Sequence, residues 1–95
     1  MSTDPGPFDL DTAWRLDDQV SIRPERFGAL LYHFGTRRLS FLKSPALLTV
    51  VRSLAEHPTA RAACAGAGVG PPELPRYRAA LAALAASRMI QPRSL

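Results

Sequence analysis

The chain is poor in the residues that build metal, redox and membrane sites: one cysteine, Cys64, one lysine, Lys43, and two histidines, His33 and His57, in 95 residues. A single cysteine forms no internal disulfide and makes no CxxC pair for zinc or redox chemistry. No apolar run approaches the roughly 18 residues that a membrane helix needs, so no membrane span is expected. The first ten residues are acidic and hold Pro5 and Pro7. They offer neither the basic start nor the apolar stretch of a secretory signal, and a reducing cytoplasm is the expected location. The length suits one modest hydrophobic core and leaves no room for a second active domain.

Charge is unevenly placed. Up to Val20 there are five aspartates and one basic residue, Arg15, a net −4, whereas from Ser21 onward ten arginines and Lys43 face Glu25, Glu56 and Glu73, a net +8. A basic body implies an anionic partner, either nucleic acid or an acidic peptide, and charge alone does not choose between them. The preference for arginine and alanine is a coding bias that says little about mechanism.

Residues 1–12 combine prolines, glycine and scattered aspartates without periodicity, which predicts a flexible acidic arm. The folded domain is expected over residues 13–92, with a short tail at 93–95. Val20 and Ile22 alternate with Ser21 and Arg23 as in a half-buried strand that Pro24 ends. Gly28 to Phe34 and Arg37 to Leu42 read as an antiparallel pair turned at Gly35-Thr36, with Gly35 supplying a positive φ. In the later strand Leu39 and Phe41 point one way and Arg38 and Ser40 the other, so the apolar pair is expected against covering helices.

Ser44-Pro45 is a helix start, because serine caps a free N–H and proline at the first position has no donor to leave unpaired. Leu47, Val50, Val51 and Leu54 then form one apolar side. His57-Pro58 stops that helix, and Thr59 caps a short one, Ala60 to Ala65, which ends in Gly66-Ala67-Gly68. Beyond Pro71-Pro72 a third helix is expected from about Glu73 to Ser87, with Leu74, Tyr77, Leu81 and Leu84 on one stripe and alanine elsewhere. Met89-Ile90-Gln91 reads either as a short terminal strand or as the helix end. The resulting class is α+β: a three-stranded antiparallel sheet followed by three helices, helix-turn-helix-like.

Catalysis needs a nucleophile with a base, a carboxylate pair or a metal cage, and none is spelled out. His33 and His57 lack sequence neighbours with which to bind a metal, and both read as structural or surface residues. Cys64 lies among alanines and reads as a small buried filler. Gly66, Gly68 and Gly70 imitate a phosphate loop, but they follow a helix, and Pro71-Pro72 blocks the helix that would receive the phosphate. The aspartates of the arm do not match a calcium loop. No cofactor is expected.

What remains is a set of cations around the third strand: Arg37, Arg38 and Lys43 beside it, with Arg23, Arg26, Arg76 and Arg78 nearby. They read either as a solvated surface or as part of a binding site. A three-stranded meander has two edges, and a last strand left uncovered can take an extended peptide by backbone pairing, its arginines selecting acidic side chains. The same edge could instead join two copies of the chain. The alternative partner is duplex DNA, as for a winged helix, although Arg76 and Arg78 give way to alanines with little to offer base edges.

The stretch RPERFGALLYHFGTRRLSFLK, Arg23 to Lys43, resembles the PqqD-like precursor-recognition domains, the small peptide chaperones of peptide-derived redox cofactor biosynthesis. The likeness extends from about Trp14 to Pro92, the two later helices matching only in pattern. His33-Phe34 stands where the pyrroloquinoline quinone branch tends to have Pro-Glu, and this favours the mycofactocin branch. The resemblance implies a winged-helix-like fold that binds the leader of a ribosomally made precursor as a strand added to the third strand and lying against the third helix. It also implies delivery of the precursor to a radical S-adenosylmethionine enzyme that oxidatively decarboxylates its Val-Tyr end, with no iron–sulfur cluster in the chaperone. Carried over by position, Arg37, Arg38, Leu39, Ser40, Phe41 and Leu42 would be the docking strand. Tyr77, Ala80, Leu81 and Leu84 would be the helical wall of the groove.

Overall fold

The computed structural model describes residues 8–93. Its elements run β1 (Trp14–Leu16), β2 (Val20–Glu25), β3 (Gly28–His33), β4 (Arg38–Leu42), α1 (Pro45–Ser53), α2 (Ala60–Gly66), α3 (Leu74–Ala86) and β5 (Ile90–Pro92). Short 3-10 turns at Leu54–Glu56 and Pro71–Glu73 lead out of α1 and into α3. The α+β class and the three-stranded antiparallel sheet, in the order β2-β3-β4, match the sequence reading.

A second sheet was not foreseen. β1 pairs antiparallel with β5, Arg15 opposite Gln91, so the two ends of the described chain close on each other. Of the two readings for Met89-Ile90-Gln91, the strand is correct from Ile90 onward. Pro24 does not end β2 but lies within it, opposite Ala29. Only an edge strand tolerates a residue with no N–H to give, and β2 is an edge.

The segment expected to be an arm is packed from Phe8 onward. Phe8 and Leu10 are buried, and the Phe8 ring lies 4.3 Å from that of Trp14. The N–H groups of Ala60 and Arg61 donate to the carbonyls of Thr12 and Leu10, which gives part of the first turn of α2 acceptors outside the helix. Two apolar side chains and these backbone bonds outweigh the polar composition of their neighbours. The remainder of the expected arm, 1–7, and the tail beyond 93 lie outside the described residues.

The helix signals act as expected. Oγ of Ser44 accepts from the Leu47 N–H at 3.0 Å, and Oγ1 of Thr59 accepts from the Ala62 N–H at 3.1 Å. Leu47, Val50, Val51 and Leu54 are all buried against the sheet and α2. At the end of α3 the Met89 N–H donates to the Leu84 carbonyl and the Arg88 N–H to that of Ala85. This closure needs a left-handed residue between them, and Arg88 supplies it at φ 65° where glycine is usual. Met89 and Leu84, the two residues it brings together, are both in the core.

Candidate functional site

The hairpin that presents β4 is built around one imidazole. His33 is buried, and its Nδ1 accepts from the Gly35 and Thr36 N–H groups at 3.0 and 3.1 Å. The Arg37 N–H donates to the His33 carbonyl at 2.7 Å, closing a turn wider than two residues. That turn takes its left-handed residue from Arg37, φ 62°, and not from Gly35 as the sequence suggested. Gly35 serves close approach instead: a Cβ there would come within 2.6 Å of the Gln19 side chain and 3.0 Å of the His33 ring. Gly28, at the start of β3, is tighter still, since a Cβ would meet the Leu42 carbonyl oxygen at 1.8 Å. Glycine is therefore required for β3 to reach the end of β4.

Register fixes which side chains of β4 face inward. Ala29 pairs with Leu42, Leu31 with Ser40 and His33 with Arg38, and Ala29, Leu31, His33 and Leu42 are buried. Leu39 and Phe41 therefore stand on the outer face, 61% and 49% exposed, the reverse of the sequence expectation. Leu42 is a core residue, and Arg37 precedes the strand.

The two edges of the sheet differ. On β2 the run Arg23-Pro24-Glu25 blunts pairing, with proline in the strand and Arg23 bridged to Glu25 at 3.5 Å. β4 carries no proline, and among the described residues no strand pairs with its free side. Beside its end lies a groove of about 410 Å³, lined by Phe41, Lys43, Ser44 and Leu47 on one side and by Arg76, Tyr77 and Ala80 of α3 on the other. Tyr77 and Ala80 are thus brought to β4 as expected. Leu81 and Leu84 are not, being buried in the core on the inner side of the helix. Leu47, Ser44, Lys43 and Arg76 join the groove without having been singled out as its lining. The helix cap at Ser44-Pro45 was the available signal, because it starts α1 directly after β4, where Lys43, Ser44 and Leu47 line the groove.

The site is cationic at both ends. Arg37 and Arg38 are exposed at the start of β4, while Lys43 and Arg76 are exposed at the groove. Their ends lie roughly 17 Å apart at the rise of an antiparallel strand, the span of a five-residue peptide. None of the four makes an ion pair with another described residue, whereas Arg15, Arg23 and Arg61 are bridged to Asp18, Glu25 and Asp11.

The other titratable groups are taken up elsewhere. Burial pushes the Cys64 thiol up, so it stays protonated among the alanines of α2. Asp11 is held below the usual carboxylate range by its hydrogen bond to Arg61, and neither residue is part of the groove lining. Among the described residues no three His, Cys, Asp or Glu side chains converge to hold a metal ion. No described helix is long and apolar enough to cross a membrane.

Comparison with known proteins identifies a family. Residues 13–91 match the model of the peptide chaperone MftB family. A protein named peptide chaperone MftB from Mycobacterium ulcerans is 60% identical over 87 residues, covering 92% of this chain and 80% of the relative. Its namesake from Mycobacterium tuberculosis is 56% identical over 90 residues, covering 95% and 83%. That from Mycolicibacterium smegmatis is 55% identical over 85 residues, covering 90% and 83%. No solved structure matches the chain.

Proposed function

The chain belongs to the peptide chaperone MftB family, and from that premise we propose that it binds the leader of a ribosomally made precursor peptide along β4 and presents it to a radical S-adenosylmethionine enzyme of mycofactocin biosynthesis. The observation that carries this reading is the juxtaposition of an unblunted strand edge, unpaired among the described residues, with the apolar groove under Tyr77 and Ala80. An extended peptide on β4 gains backbone hydrogen bonds along the strand. Its alternate side chains then fall into the groove, and acidic flanks meet Arg37 and Arg38 at one end and Lys43 and Arg76 at the other.

The role is one of binding. Cys64 is fully buried, and both backbone donors of the hairpin occupy the Nδ1 of His33, so neither residue is presented to a substrate. A DNA reading finds no support in α3, whose outward positions after Arg78 are alanines, Ala79, Ala83 and Ala86, with no donors for base edges.

Calorimetry with a synthetic leader from the cognate precursor tests the reading. Saturable binding is expected, weakened severalfold or more by Arg38→Glu. Absence of heat at tens of micromolar, together with tight, steeply salt-dependent binding of duplex DNA, would overturn it.

A further inference from the structure

The outer face of the β2-β3-β4 sheet carries apolar side chains that no described residue covers. Phe27 is 68% exposed and Phe34 62%, and they flank the half-buried Leu30 and Tyr32 along β3. Register places Leu30 beside Phe41 and Tyr32 beside Leu39, so the surface is continuous across the sheet. The Phe34 ring meets Tyr32 edge-on at 5.2 Å, and a second hollow of about 350 Å³ opens among Glu25, Arg26, Phe27, Leu30 and Phe41. Helix α1 packs on the opposite face, and α3 stands beside the β4 edge. A leader strand on β4 would widen this surface without covering it.

Charge indicates the occupant. One end of the face carries Arg26 and Lys43, with Arg23 beside them already bridged to Glu25, and the other carries Arg37. Arg38 pairs with the inward His33 and belongs to the opposite side. The nearby acids are already engaged, Glu25 with Arg23 and Asp18 with Arg15. A second copy laid on this face in either direction would set cations against cations, which disfavours self-association. A protein surface that is apolar at its centre and acidic at its margin fits.

We propose that this face is a second docking surface, adjoining the peptide edge at Phe41, and that it receives such an acid-rimmed patch on the folded enzyme to which the peptide is handed. The proposal rests on the preceding reading for the identity of that enzyme. The chain then holds its two partners on two sides of one strand: the peptide along the β4 edge, the enzyme across the outer face.

The test compares the wild-type chain with Phe27→Ser/Phe34→Ser and with Arg26→Glu, each titrated with the synthetic leader and with the purified radical S-adenosylmethionine enzyme. Both variants change exposed side chains outside the groove, and circular dichroism checks their fold. Leader affinity within twofold of wild type, with enzyme affinity reduced at least tenfold, is the expected result. Unchanged enzyme affinity in both variants overturns the proposal, as does failure of the wild-type chain to bind the enzyme. So does a wild-type dimer, seen by sedimentation, that the serine variant abolishes, since the occupant is then a second copy. If the leader fails to bind while enzyme binding still depends on Phe27 and Phe34, the groove reading falls and the face stands.

Discussion

Nε2 of His33 lies 3.5 Å from Oδ1 of Asp17, a contact between a buried ring at the end of β3 and the loop that precedes β2. The same carboxylate accepts from the Gln19 N–H at 2.8 Å and from the Gln91 side chain at 3.0 Å. One aspartate therefore links the small β1-β5 sheet to the hairpin that holds β4. The ring in turn accepts both hairpin N–H groups on its other nitrogen.

His33→Phe keeps a ring of similar shape but leaves the Gly35 and Thr36 N–H groups without their acceptor. A loss of about 1–3 kcal/mol in urea unfolding is expected, the range for hydrogen-bonding groups left unsatisfied. Leader affinity should fall with it, because the hairpin sets the position of β4. Unchanged stability would show that the ring does not organise the turn.

Arg37→Gly should act with opposite signs on folding and binding. Glycine relieves the left-handed φ of 62°, and a gain of about 0.5–1 kcal/mol is expected once the extra freedom of the unfolded chain is allowed for. Losing the cation should weaken leader binding roughly twofold to fivefold at low salt, an effect that fades as salt screens exposed charges. Thermal unfolding and calorimetry on the same sample read the two signs. Tighter binding by the glycine variant would remove Arg37 from the site.

Neighbours on α3 should separate wall from core. Ala80→Glu introduces bulk and negative charge into the groove and should reduce leader binding at least tenfold with little change in stability. Leu81→Ala, one residue along, opens a cavity in the core and should cost about 2–5 kcal/mol of stability. Its effect on binding should follow from unfolding alone. Equal loss of binding by both variants, with both folded, would contradict this division.

Asp11 and Arg61 give an acid-sensitive contact. Because the folded-state pKa of Asp11 is lowered, its contribution is present above the ordinary aspartate value of 3.8 and is lost as pH falls through the lowered value. Unfolding curves between pH 2 and 5 should therefore show a smaller acid loss of stability in Asp11→Asn than in wild type. Parallel curves would deny the contact a role.

Much of the fold was legible because its signals are local. Ser44-Pro45 and Thr59 announce helices through their own side chains, and the Leu47 to Leu54 spacing reports a buried face whatever it packs against. What escaped depends on distant partners. β1 and β5 find each other across the whole domain, and neither three-residue strand has a pattern of its own. The face of β4 was misread because Leu39 and Phe41 are its obvious apolar pair. Its phase is set instead by β3, where Ala29, Leu31 and His33 point inward, and a shift of one residue reverses every side chain. The α3 stripe likewise joins Tyr77 to Leu81 and Leu84 without separating groove wall from core. Only the place of β4 beside the helix makes that distinction.

The central claim is strand addition on β4, and backbone amide exchange on an isotopically labelled chain, with and without saturating leader, tests it most directly. At least tenfold slower exchange is expected for amides between Leu39 and Lys43, with cross-strand contacts from the leader to Leu39 and Phe41 and side-chain contacts to Tyr77 and Ala80. Saturable binding that leaves β4 exchange unchanged, or that protects β2 instead, would contradict it.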